Sequence, residues 1–286
     1  MKKLILPVLA LISVLIFILS FIDFSPKKQL LSFIDLKENV KEITIQNENS
    51  KITLFYEDET WKAQKNHIIF PVEKQIIENL LQKLEQKRTF EKIFTSNSKN
   101  DFYSNEKFEI SILENDKNLS FTIGDSDFSL LNRYVKFQNE TLKIAFNIEE
   151  LLHTDERFFI DPHFIPRTLV FCPDFKISFV KINYNQKNYT ILPGKTKKIG
   201  ENEVNLISRL KELRHGSFFA EQNKNPVILQ AEIETENQKF FYIFVKPYSE
   251  TDFTVEYSVK GKKNDDYNYS VLISAWTFKN ILELLD

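Results

Sequence analysis

The apolar residues of this chain recur with two different periods, and the period changes several times along the sequence. Alternating apolar and polar positions at 43–45 and 52–56 flank the polar run 47–50, which is typical of a β-hairpin. After Pro71 the period becomes that of an amphipathic helix. Its apolar positions are Val72, Ile76, Ile77, Leu80, Leu81 and Leu84, whereas Glu78, Gln82 and Lys83 are expected to face water.

Further alternating segments follow this first helix. They predict strands at 108–112, 119–123, 134–137 and 142–146, and then a short helix at 148–152. The second half shows the same order of elements. It has a hairpin at 179–184 and 188–192, a helix marked by Val204, Ile207, Leu210 and Leu213, strands at 227–234, 239–246, 253–259 and 269–273, and a terminal helix at 274–285.

Because this order repeats, the sequence predicts an α+β fold of two tandem antiparallel-sheet units related by internal duplication. Each unit is expected to contain a strand hairpin, a helix, four strands and a second helix, with the helices covering one face of the sheet. The predicted boundaries are 41–165 for the first unit and 166–286 for the second.

The amino-terminal segment differs from the rest of the chain. Residues 4–22 carry no charge, and a helix of that length spans about 28 Å, enough for a bilayer core. Lys2 and Lys3 favour a cytoplasmic amino terminus. We therefore predict a transmembrane signal anchor at 1–24, a stalk at 25–40 and a single-pass protein of the cytoplasmic (inner) membrane with an extracytoplasmic carboxy-terminal domain. A cleaved signal peptide is the alternative interpretation.

Composition and charge narrow the range of functions. The 286 residues include 38 Lys and Arg and 40 Asp and Glu, for a net charge of −2, so no basic field is present to bind nucleic acid. The single cysteine, Cys172, cannot form an internal disulfide. Its neighbours Phe171 and Pro173 predict a buried structural thiol.

Three short motifs offer candidate chemistry. Pro193-Gly194-Lys195-Thr196 ends like a phosphate loop, but Tyr189 occupies a position where that motif requires glycine, so we interpret it as a tight turn. Gly124-Asp125 is also interpreted as a turn. The metal-capable side chains of His153, Asp155, Glu156, Asp161 and His163 match no recognised ligand spacing. The sequence therefore predicts no catalytic residue, no cofactor-binding residue and no metal ligand.

Several of these features together resemble a bacterial family of unknown function, most clearly over residues 50–165. The resemblance is carried by Trp61, Pro71-Val72-Glu73, the helix positions Ile77, Leu80, Leu81 and Leu84, the strand end 121–124, Arg133-Tyr134-Val135 and Phe158-Phe159. Members of that family are membrane-anchored extracytoplasmic proteins, often encoded beside ABC-2-type, gliding-motility-like transporter components. The family has no established catalytic residues, so the resemblance implies a place near a transporter and no particular chemistry.

Two functions follow as expectations. The first is a non-enzymatic, periplasmic accessory protein, held in the bilayer through 4–22, that binds an ABC-2-type permease or another envelope protein. The second is a ligand-binding or hydrolytic ectodomain with a site between the two units. An exposed apolar patch would favour the first function, and a deep cleft with convergent carboxylates or histidines would favour the second.

Overall fold

The computed structural model describes residues 29–57, 59–93, 102–166, 176–219, 223–236, 240–260 and 269–285. Strands make up 51% of the described residues, and every strand pair among them is antiparallel, so the predicted α+β class with a transmembrane helix is wrong. No helix within these ranges is long and apolar enough to cross a bilayer, which corrects the predicted single-pass localisation in the cytoplasmic membrane. The predicted anchor at 4–22 lies outside the described residues.

Within the described ranges, the first sheet has ten strands in the order β1-β6-β10-β9-β8-β7-β2-β3-β4-β5. In chain order the strands are β1 Gln29–Leu31, β2 Val40–Gln46, β3 Lys51–Glu57, β4 Thr60–Lys65, β5 Ile68–Pro71, β6 Arg88–Ile93, β7 Phe108–Glu114, β8 Lys117–Ser126, β9 Asn132–Phe137 and β10 Glu140–Ala145. Helix α1, Lys74–Glu85, lies between β5 and β6. The 3₁₀ helices Lys37–Asn39 and Glu149–Leu152 and the one-turn helix α2, Glu156–Phe159, complete this half.

The second sheet has seven strands in the described ranges, in the order β12-β11-β16-β17-β18-β19-β15. These strands are β11 Ile177–Tyr184, β12 Lys187–Ile191, β15 Phe218–Phe219, β16 Leu229–Thr235, β17 Phe240–Pro247, β18 Asp252–Lys260 and β19 Ser270–Ser274. Strands β13 Thr196–Ile199 and β14 Asn202–Asn205 pair as a separate ribbon. Helix α3, Leu206–Glu212, precedes β15, and helix α4, Ala275–Glu283, follows β19.

Both sheets follow one connection order. The run β6-β10-β9-β8-β7-β2-β3 of the first sheet corresponds, strand by strand, to β15-β19-β18-β17-β16-β11-β12 of the second. Each sheet also has a register irregularity at the start of the same strand, between Val40 and Glu42 in β2 and between Ile177 and Phe179 in β11. A surface feature of one sheet can therefore be compared with its counterpart in the other.

The predicted strand count of each unit is wrong. Within the described ranges, strands β2–β5 precede α1 and strands β11–β14 precede α3, where one hairpin was expected before each helix, and five strands follow each of these helices. The alternation rule misses β4 and β6 because charged residues occupy buried positions in them. Lys62 has a side chain that is only 2% exposed and pairs with Glu57 at 2.7 Å. Arg88 is buried and donates to the side chain of Asn147 at 3.0 Å.

Helix α1 turns its apolar stripe into the core. Ile77, Leu80, Leu81 and Leu84 are buried in one cluster with the alternating residues of the strands. These burials are as predicted, and Glu78 and Gln82 are exposed as predicted. Lys83 is only partly exposed, at 32% of its side chain, because its Nζ pairs with the buried carboxylate of Glu150 at 2.7 Å.

Residues 160–166 connect the first sheet to the second and contact both. Asp161 donates its backbone N–H to the carbonyl of Pro71 at the end of β5, at 3.0 Å. Phe164 donates its backbone N–H to the carbonyl of Leu213, just after α3, at 2.8 Å. This connecting segment is therefore hydrogen-bonded to both halves of the molecule.

Candidate functional site

The structure separates most of the metal-capable side chains that the sequence places close together. The ring of His153 stacks on Phe158 with centroids 4.0 Å apart. Asp155 caps α2 by accepting from the backbone N–H of Arg157, whose guanidinium it also binds. Glu156 pairs with Lys65 at 2.5 Å. Within the described ranges no group of three or more His, Cys, Asp or Glu side chains is placed to hold a metal, and Cys172 lies outside those ranges.

Asp161 and His163 do come together, and the fold adds two residues to them. Asp161 Oδ1 accepts from the backbone N–H of His163 at 3.0 Å and lies 2.5 Å from His163 Nδ1. His215 Nε2 lies 2.7 Å from the carbonyl oxygen of Asp161. The Tyr257 hydroxyl donates to the carbonyl of Phe164 at 3.0 Å. We call Asp161, His163, His215 and Tyr257 the junction cluster, and all four are buried.

Burial shifts the pKa values of two members of the junction cluster, His215 and Tyr257. It lowers the pKa of His215, and hydrogen bonds with the carbonyls of Gly216 and Asp161 oppose this effect in part. Burial also raises the pKa of Tyr257 well above its usual value. A neutral imidazole carries one N–H, so neutral His215 donates to only one of its two carbonyl neighbours at a time. Because these side chains are buried, we interpret the junction cluster as a structural contact that holds the two halves of the molecule together.

The lowered pKa of His215 predicts a stability that falls in mild acid. Below about pH 6.5, the ordinary pKa of histidine, the unfolded chain binds a proton that the buried imidazole resists. The contribution of neutral His215 to the free energy of unfolding is therefore present above that pH and is lost as the pH falls. In urea denaturation, His215→Asn should show a shallower loss than the wild type from about pH 7.5 to 5. His67→Asn, at an exposed histidine, should keep the wild-type slope. Equal slopes for the wild type and His215→Asn would contradict this prediction.

The two glycine motifs have different outcomes. Gly194 has a φ of +78° in a turn where Lys195 donates to the carbonyl of Leu192, and a strand rather than a helix follows it, as the turn interpretation requires. Gly124-Asp125, in contrast, lies inside β8, so the interpretation as a turn is wrong. A Cβ atom at Gly124 would lie 2.3 Å from the carbonyl oxygen of Phe102, which explains the glycine. The Asp125 carboxylate accepts from the backbone N–H groups of Asn105 and Glu106.

A feature that the sequence interpretation missed is the loop between β8 and β9. Phe128 is fully exposed, Leu130 is 78% exposed and Leu131 is 72% exposed. We call residues 128–131 the apolar loop. Asp127 holds the turn of this loop in place. Its carboxylate accepts from the side chain of Asn132 at 2.9 Å and pairs with Lys143 at 2.8 Å. Three large apolar side chains are therefore held in water by a well-bonded turn.

Hydrogen bonding within the apolar loop is extensive. Asp127 Oδ1 accepts from the backbone N–H of Ser129 at 3.1 Å and from its hydroxyl at 2.7 Å. The pKa of Asp127 lies well below its usual range because of the Lys143 ammonium, with further donation from Ser129 and Asn132. Leu130 has a φ of +60°, in the left-handed region that disfavours leucine by about 1–2 kcal/mol. Leucine therefore occupies position 130, where glycine or asparagine would have less backbone strain.

The corresponding loop of the second sheet, between β17 and β18, provides an internal comparison. The Ser249 hydroxyl accepts from the backbone N–H groups of Thr251 and Asp252, as Asp127 does in the first sheet. Its exposed positions carry Tyr248, Glu250 and Thr251 in place of the three large apolar side chains. The turn can therefore be built with one exposed aromatic residue in place of three large apolar ones.

Comparison of the chain with protein-family models, with curated proteins and with solved structures finds no match. The resemblance described above therefore stays a prediction that rests on the quoted residues. Any function has to be argued from the surfaces of the molecule itself.

Two concave surfaces accompany the apolar loop on the first sheet. One is a depression of about 470 Å³ on the open sheet face, lined mainly by hydroxyl and amide side chains such as Thr44, Gln46, Ser111 and Thr122. The other is a groove of about 530 Å³ between α1 and strands β3 and β4. We call it the aromatic groove, because Tyr56 and Trp61 line it as a cross-strand pair with ring centroids 5.7 Å apart.

Proposed function

We propose that this chain is a non-enzymatic binding protein that docks onto a protein partner through the apolar loop. The observation that supports the proposal is the exposure of Phe128, Leu130 and Leu131 on a turn whose backbone is fixed by Asp127. Burying such side chains in a partner removes apolar surface from water. Because the loop is already ordered, binding costs less conformational entropy than it would for a flexible segment.

The comparison between the two sheets supports a binding role for the exposed side chains of the apolar loop. Exposed apolar patches on folded proteins mark interaction sites. The counterpart loop forms a hydrogen-bonded turn with one exposed aromatic residue, Tyr248, so folding alone does not require three large apolar side chains. The left-handed Leu130 adds a cost to the isolated molecule that an interaction would offset.

The chemistry of the loop indicates the kind of partner. An aromatic anchor with two leucines after it along the loop fits an apolar pocket on a protein, where such anchors supply most of the binding energy. Permease subunits of ABC-type transporters and cell-envelope proteins are the first candidates, because the resemblance over residues 50–165 implies them.

The proposal is tested by crosslinking from the loop in the full chain. A photo-crosslinking phenylalanine analogue at position 128 is expected to capture a discrete protein in the native cell, and the analogue at position 248 is not. With the captured protein purified, the combined Phe128→Ser, Leu130→Ser and Leu131→Ser variant should bind at least about tenfold more weakly than the wild type.

The matched control is Tyr248→Ser, which changes an exposed aromatic residue on the counterpart loop. It should bind the partner like the wild type, and both variants should retain the wild-type melting temperature because the changed side chains are exposed. Undiminished binding by the triple variant would overturn the proposal. Capture only of a second copy of this chain, or loop-dependent binding only to lipid vesicles, would also overturn it.

A further inference from the structure

The aromatic groove has the composition of a site for a small polar ligand. Its volume of about 530 Å³ lies within the range of about 300–1,000 Å³ that small-ligand sites occupy. Val40 and Leu81 contribute apolar lining, and the aromatic pair Tyr56 and Trp61 forms part of the wall. Tyr56 is 48% exposed, so part of its side chain is accessible to a ligand.

Helix α1 faces this wall with a row of amide side chains. Gln75, Asn79 and Gln82 all line the groove, and their spacing places them on one face of the helix. Gln75 Nε2 donates to Asn79 Oδ1 at 3.0 Å, which orients these two amides. Each amide group both donates and accepts hydrogen bonds. The groove therefore combines aromatic faces with neutral groups of both hydrogen-bonding senses.

The charges around the groove are mixed. Lys37, Glu38 and Glu78 line it, so neither sign dominates. A ligand with phosphate groups or with several positive charges would bind best where the lining side chains carry charges of one sign. An uncharged ligand with many hydroxyl groups matches this lining better.

From this lining we infer that the aromatic groove binds a neutral saccharide chain. The C–H faces of a pyranose ring pack on aromatic rings, while its hydroxyl groups both donate to and accept from side-chain amides. This binding site is separate from the apolar loop and does not depend on the function proposed for it.

The second sheet shows that its shared connection order does not create such a groove by itself. Strand β12 ends at Ile191, whose place in the strand pairing corresponds to that of Leu54 in β3. The chain then turns at Pro193 and Gly194, and β13 and β14 form their separate ribbon. In the first sheet the strands continue and supply the aromatic pair. The groove is thus a feature added to the shared architecture.

The test uses the full chain carrying Trp276→Phe, so that Trp61 becomes the single tryptophan of the protein. Its fluorescence is followed while cellohexaose, maltohexaose and fully N-acetylated chitohexaose, three neutral hexasaccharides, are titrated separately to about 10 mM. At least one of them is expected to give a saturable change with a Kd below about 1 mM. Tyr56→Ala should weaken that binding at least about tenfold.

Tyr248→Ala is the matched control, because Tyr248 is an equally exposed tyrosine outside the groove. It should leave the Kd within about twofold of the wild-type value. If Tyr56→Ala disturbs the circular dichroism spectrum, the combined Gln75→Ala and Asn79→Ala variant provides the same test from the α1 side. Absence of saturable binding by all three hexasaccharides would overturn the inference. Binding that these groove variants leave unchanged would also overturn it.

Discussion

The Asp161→Ala substitution is expected to lower the free energy of unfolding by about 2–6 kcal/mol. The carboxylate is buried and accepts from the backbone N–H of His163 at 3.0 Å, with His163 Nδ1 at 2.5 Å. Removing it deprives two buried donor groups of this acceptor, and each unsatisfied buried group costs about 1–3 kcal/mol. The substitution keeps the backbone carbonyl of Asp161, so its contact with His215 Nε2 should remain and the loss should come from the two His163 groups.

Asp161→Asn is the control for this prediction, because it keeps an Oδ1 acceptor of the same shape and removes the charge. Urea denaturation of the full chain, followed by circular dichroism, should give a loss less than about half of that for Asp161→Ala. Equal losses for the two variants would mean that the acceptor atom is unimportant. A loss under about 0.5 kcal/mol for Asp161→Ala would contradict the enclosed junction cluster altogether.

The sequence predicts the hairpins of this fold well because their residues alternate between core and solvent. Ile43 and Ile45 in β2, for example, are fully buried on one face, whereas Thr44 between them is only partly buried. Strands β4 and β6 break that rule, since Lys62 and Arg88 are buried through hydrogen-bonded partners that are not their nearest neighbours along the chain. A rule that looks for apolar residues does not recognise a buried charged residue, so β4 and β6 are missing from the prediction.

The candidate sites differ in how far the sequence could reveal them. Asp161 and His163 stand out because they are close along the chain, but His215 and Tyr257 reach the same cluster only through the fold. The apolar loop was missed because three large apolar residues normally indicate a core. A local signal was present in Asp127 with Asn132, a pair of residue types that form side-chain-bonded turns.

Features that both sheets share belong to the common fold, and features that only one sheet has are additions to it. Both sheets keep the strand order and the early irregularity in β2 or β11. The apolar loop and the aromatic groove belong to the first sheet, and the second sheet has a loop with one exposed aromatic residue and a detached ribbon in the matching places. The two proposed binding surfaces therefore lie on the same half of the described molecule, which makes that half the first target for functional mutagenesis.

Helix α1 carries the second large expected effect. Leu80→Ala should lower the free energy of unfolding by about 2–5 kcal/mol, because Leu80 is fully buried and its truncation leaves a cavity in the core. Gln82→Ala, two residues away on the exposed side, should change it by less than about 0.5 kcal/mol. Both substitutions introduce alanine into the same helix, so the difference between them reports mainly the burial. Urea denaturation measures both values, and similar small losses at the two positions would show that α1 does not pack into the core.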